Sequence, residues 1–83
     1  MKYNVEYSKN AEKQIEKLPK LAKKRIFAVV ERVRIRPTRF FEKLVGTDSY
    51  KLRVGDYRII ADIHNDILCI LIVKIKHRKN VYK

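Results

Sequence analysis

This 83-residue chain offers almost nothing to metal or disulfide chemistry, with a single cysteine and two histidines at unrelated positions. No Cys/His cluster at ligand spacing exists, so no metal or other cofactor is expected. Cys69 cannot form an intrachain disulfide, and it sits in the apolar run Ile67-Leu68-Cys69-Ile70-Leu71-Ile72-Val73, where a small buried thiol fits. With two glycines there is no glycine-rich phosphate loop, and with two prolines beside them the composition is not that of a disordered chain. No serine is marked as an exposed nucleophile of a Ser/His/Asp arrangement. No apolar stretch approaches the roughly 18 residues that span a bilayer, and Met1-Lys2-Tyr3-Asn4-Val5-Glu6 does not read as a signal peptide, so a cytoplasmic protein is expected.

Acidic residues are the other shortage. Nine Asp and Glu face 21 Lys and Arg, a formal net charge of +12. Such a chain repels itself and attracts polyanions, with nucleic acid the strongest candidate ahead of an acidic protein or an anionic membrane surface. A chain of this length buries about 60–65% of its unfolded surface, enough for one modest core. One domain over residues 1–83 is expected.

Hydrophobic periodicity predicts the elements. Tyr3, Val5 and Tyr7 alternate with Lys2, Asn4 and Glu6, a first strand with one buried face. Ser8 reads as the N-cap of a helix carrying Ala11, Ile15 and Leu18, ended by Pro19. Leu21, Ala22, Ile26, Val29, Val30 and Val33 recur at helical spacing in a second helix, stopped by Pro37. Residues 38–48 read as a connection, with Phe40, Phe41, Leu44 and Val45 tucked against the core. Tyr50 to Val54 and Tyr57 to Ile63 alternate around a Gly55-Asp56 turn, and Asn65-Asp66 marks a second turn. The run from Ile67 to Lys76 predicts a central strand buried on both faces. The expected fold is α+β in the order β-α-α-β-β-β, a helical hairpin on one face of a mainly antiparallel four-stranded sheet.

A two-residue turn fixes the hairpin register, placing Val54 opposite Tyr57, Arg53 opposite Arg58 and Leu52 opposite Ile59. Leu52, Val54, Tyr57 and Ile59 then share the core side, and Lys51, Arg53 and Arg58 share the other. Like charges directly opposed on a sheet are destabilising by some tenths of a kcal/mol, and an anion held between them reverses the sign. The alternative is that these long side chains splay into water. Downstream, the tail from Lys74 to Lys83 mixes cations with His77 and Tyr82. Metal-free RNA cleavage needs a proton taken from a 2′-hydroxyl, charge stabilised on the phosphorane and the 5′-oxygen protonated, all within reach of Lys, Arg, His and Tyr. The alternative here is a solvated basic terminus. His64, beside the Asn65-Asp66 turn, reads as a surface turn residue.

Tyr50-Lys51-Leu52-Arg53-Val54-Gly55-Asp56-Tyr57-Arg58-Ile59-Ile60 resembles the "KLR…G-x-YR-hydrophobic" segment of the RelE/ParE toxin superfamily. His77-Arg78-Lys79-Asn80-Val81-Tyr82 is similar to its terminal "HR-x-x-VY" signature, and Leu44-Val45-Gly46 also fits. The resemblance implies a RelE-like messenger-RNA interferase: a toxin of a type II toxin–antitoxin pair that enters the A site of the 70S ribosome, cuts mRNA by 2′-hydroxyl attack and is silenced by an acidic antitoxin. It implies Lys51 and Arg58 at the scissile phosphate, Tyr82 stacking on the nucleotide, and His77 or Arg78 in proton transfer and charge stabilisation. Arg53, Lys74 and Lys79 would add RNA-binding charge. Two positions depart from the pattern: Ser49 stands where many RelE-like toxins have a second lysine, and Lys76 where RelE has a catalytic arginine. Lys76 keeps the charge without the planar fork, which shifts proton transfer toward His77. The rivals are a ParE-like gyrase inhibitor and a non-catalytic basic RNA- or ribosome-binding module.

Overall fold

A computed structural model describes residues 2–78 of the chain. In chain order the elements are β1 (Asn4–Tyr7), α1 (Lys9–Glu16), α2 (Lys20–Val33), α3 (Pro37–Phe40), β2 (Glu42–Lys43), β3 (Tyr50–Val54), β4 (Tyr57–His64) and β5 (Cys69–His77). The strands form one sheet in the order β1-β5-β4-β3-β2, antiparallel except where β1 runs parallel to β5. The expected α+β architecture is present. Two short elements add to it, α3 and the two-residue β2, both within the segment expected to be a plain connection. Pro37 opens α3 at its first turn, where its missing N–H costs nothing.

The helices lie on one face of the sheet. Ala11 and Ile15 of α1 and Ile26, Val30 and Val33 of α2 meet Leu52, Val54, Ile59, Ala61, Ile70, Ile72 and Ile75 in one core. Ser8 caps α1 as expected, its Oγ accepting from the Ala11 N–H at 3.0 Å. The other face carries no helix among the described residues. That corrects the expectation for β5, in which Ile70, Ile72 and Ile75 are buried while Leu71 and Val73 are only half-buried. The strand also begins at Cys69 and not Ile67, because Leu68 has a left-handed φ of 51° that no strand accommodates. For a side chain with a Cβ that conformation costs about 1–2 kcal/mol.

A bulge in β5 decides which side chains reach the open face. Ile60 pairs with Lys74 but its neighbour Ala61 pairs with Ile72, which leaves Val73 as an extra residue. Alternation changes phase there: Ile72 and Ile75 both face the helices, and Lys74 and Lys76 face away. Helix α1 satisfies the backbone groups this frees. Ser8 Oγ donates to the Val73 carbonyl at 2.9 Å, and the Ile75 N–H donates to Gln14 Oε1 at 2.7 Å.

Losing the amide acceptor while keeping the side chain's bulk orphans the Ile75 N–H. Gln14→Leu is therefore expected to destabilise the fold by about 1–3 kcal/mol, read as a lowered midpoint in urea unfolding. An unchanged midpoint would mean that the bulge does not depend on α1.

Candidate nucleic-acid interface

The hairpin register is the one expected from its two-residue turn: Val54 opposes Tyr57, Arg53 opposes Arg58 and Leu52 opposes Ile59. Gly55 supplies the turn's positive φ of 59°, and a Cβ there would lie 3.0 Å from the Arg25 guanidinium. Leu52, Val54 and Ile59 are buried against the helices. Paired residues share a face, so Arg53, Arg58 and Lys76 form a continuous row across β3, β4 and β5 on the open face. The next row along reads Glu42, Lys51, Ile60 and Lys74.

Five cations thus occupy adjacent positions on one face. Lys51, Arg58 and Lys74 are half-buried, and Arg53 and Lys76 are exposed. None of them makes an ion pair or side-chain hydrogen bond among the described residues, where the one salt bridge joins Arg34 to Glu31 at 2.9 Å at the end of α2. A cleft of about 360 Å³ opens beside the row, lined by Phe40, Glu42, Lys51, Leu52, Arg53 and Arg58. Ser49, in place of a second lysine, donates instead to Asp62 Oδ1 at 2.8 Å.

The tail candidates divide. Register puts His77 opposite Tyr57, on the helix side of the sheet, with its ring edge-on to Tyr57 at 4.8 Å between centroids. It therefore does not join Lys51, Arg58 and Lys76 on their face. Arg78 lies just past β5, its N–H bonded to the Asp56 carbonyl at 2.7 Å, which ties the start of the tail to the hairpin turn. Lys79 and Tyr82 lie outside the described residues. His64 is exposed at the end of β4, as a turn residue would be. Burial, reinforced by Glu6, pushes the Cys69 thiol above its ordinary pKa, so it stays protonated and makes a poor nucleophile. Phe40 and Val45, expected against the core, are exposed, and the place of Glu42, absent from the expected site, is set by the parity of β2 against Lys51, visible only once that strand is paired.

The face can bind phosphate and stabilise negative charge that develops on it. Stacking cations without partners has a cost in the free protein. Arg58→Gln is expected to raise thermal stability at low ionic strength by a few tenths of a kcal/mol, with the gain vanishing near 1 M salt as the charges are screened. Equal or lower stability of the variant in scanning calorimetry at low salt would show that the row carries no repulsion.

Comparison with known proteins bears on what this face serves. The profile of the ParE toxin of the type II toxin–antitoxin system parDE matches residues 5–82. A curated relative from Methanocaldococcus jannaschii, named as a candidate toxin RelE1, is 32% identical over the whole of this chain and 98% of its own length. Among solved structures, a chain of the archaeal RelE–RelB complex from Pyrococcus horikoshii is 29% identical, with a TM-score of 0.77 over 94% of this chain and 97% of that one. A chain of the Mycobacterium tuberculosis RelBE2 toxin–antitoxin complex shares the fold, with a TM-score of 0.88 at 21% identity over 94% of this chain and all of that one. With its whole length accounted for by these matches, the chain belongs to the RelE/ParE family of type II toxin–antitoxin toxins.

Proposed function

We propose that this toxin is a metal-independent endoribonuclease that cuts messenger RNA in the ribosomal A site, and that a RelB-like acidic antitoxin silences it. The observation that carries the reading is the unpaired row Arg53–Arg58–Lys76 with Lys51 beside it. A fold alone gains nothing from opposing three cations, whereas a scissile phosphate offsets their repulsion and uses their field.

In the reaction the 2′-hydroxyl of one nucleotide attacks the adjacent phosphorus and gives up its proton. The phosphorus–O5′ bond then breaks, and the leaving oxygen takes up a proton. The products are a 2′,3′-cyclic phosphate and a free 5′-hydroxyl. Lys51 and Arg58, half-buried and held on neighbouring strands, are the groups suited to the phosphorane oxygens, and Lys76 extends the field from β5. Arg53 and Lys74 hold flanking phosphates, with Lys79 continuing that charge. Arg78 and Tyr82 come from the tail, Arg78 to stabilise charge and Tyr82 to stack on the base. His77 faces the Tyr57 side, so it reaches the phosphate only around the end of the sheet. Charge stabilisation by the sheet therefore has more geometric support than proton transfer by His77. The uncompensated charge suits an acidic antitoxin as well as RNA, and the relatives in complexes with RelB motivate that partner.

Primer extension on ribosome-bound message is expected to show new cuts within A-site codons. Lys51→Ala and Arg58→Ala should each lower the cutting rate by at least about a hundredfold, while His77→Gln should cost less than about tenfold. Intact message together with inhibited supercoiling by gyrase would reject the nuclease in favour of the activity that the ParE name suggests.

A further inference from the structure

Besides the buried Leu52, the cleft beside the basic row has two lining groups that phosphate binding does not use, the Phe40 ring and the Glu42 carboxylate. The two adjacent phenylalanines have opposite fates: Phe41 is 5% exposed in the core, while Phe40 is 48% exposed. An aromatic face held open beside cations is the usual arrangement for stacking an unpaired base. Glu42 lies directly opposite Lys51 in the β2–β3 register, yet its carboxylate makes no ion pair or hydrogen bond among the described residues. Among the described residues it is the sole acidic one lining the cleft.

Taken together these groups specify a ligand with a flat apolar face, an anionic group and hydrogen-bond donors. An ionised carboxylate only accepts, at two oxygens side by side. Guanine is the one common RNA base whose Watson–Crick edge presents two adjacent donors, N1–H and the 2-amino group. Adenine, cytosine and uracil each set an acceptor beside their donor on that edge. The cleft volume of about 360 Å³ lies at the small end of the roughly 300–1,000 Å³ typical of small-molecule sites.

We propose that this cleft is a guanine-selective nucleotide subsite, in which the base stacks on Phe40, N1–H and the 2-amino group donate to the Glu42 oxygens, and the phosphate lies among Lys51, Arg53 and Arg58. The subsite rests on the RNA-cutting reading for its natural ligand, since it would set which base stands at the cut. Binding of a mononucleotide to the free protein does not depend on cutting.

The test titrates the full chain with guanosine 5′-monophosphate, inosine 5′-monophosphate and inorganic phosphate, followed by NMR. Inosine lacks only the 2-amino group. The wild type is expected to bind the guanosine nucleotide roughly tenfold tighter than the inosine one, the worth of one hydrogen bond to a charged acceptor. Glu42→Gln, on an exposed edge strand where folding is not at stake, should erase that difference. Phe40→Leu should weaken both nucleotides by roughly five- to a hundredfold and keep their ratio, with an unchanged melting temperature showing that the fold is intact. Equal affinity for both nucleotides in the wild type, a preference that survives Glu42→Gln, or phosphate binding as tightly as either nucleotide would overturn the proposal. Message cutting without nucleotide discrimination would remove the subsite and leave the nuclease, whereas discrimination without cutting would do the reverse.

Discussion

The basic face spans three strands because one residue in β5 is out of step, which turns Lys74 and Lys76 onto the side already held by Lys51, Arg53 and Arg58. Ile70, Ile72, Lys74 and Lys76 are spaced by two, and in a regular strand all four would point the same way. The helix-covered core would then have to take two lysines, each expensive to bury without a partner. The extra residue at Val73 sends the isoleucines inward and the lysines outward. Helix α1 stabilises that irregularity by bonding the Val73 carbonyl and the Ile75 N–H through Ser8 and Gln14. Helix, bulge and interface are thus one mechanical unit, although α1 packs on the opposite face of the sheet from the cations.

The price of the interface is borne in the free protein. Opposed arginines and a lysine across three strands, none of them ion-paired among the described residues, oppose folding by amounts that are small singly and cumulative along a row. A polyanion relieves this repulsion. On the proposed reading, RNA and an acidic antitoxin compete for the same relief, so inhibition follows from charge without a separate regulatory site.

Much of this is legible in the amino-acid sequence. The two-residue turn Gly55-Asp56 dictates its flanking register, and parity alone sorted Lys51, Arg53 and Arg58 from Leu52, Val54 and Ile59. Helices α1 and α2 announced themselves through apolar spacing and the Ser8 cap. What stayed hidden depended on contacts distant in sequence. The continuous run from Ile67 to Val73 carries no alternation, so neither the left-handed Leu68 nor the bulge has a local signature. His77 and Lys76, consecutive in the strand, must take opposite faces, and the bulge decides that it is His77 that turns to the helix side. Glu42 and Phe40 belong to a two-residue strand and a single turn of helix, elements too short for periodicity to mark.

The central claim is that Lys51, Arg53, Arg58 and Lys76 together receive one RNA backbone. Backbone amide shifts recorded while the toxin is titrated with a short 2′-O-methyl RNA, which binds but lacks the attacking hydroxyl, address it most directly. The account predicts perturbations concentrated in β3, β4 and the second half of β5, with the exposed side of α2 unaffected. Shifts centred on α2 and absent from the strands would place the RNA on the wrong side of the molecule and contradict it.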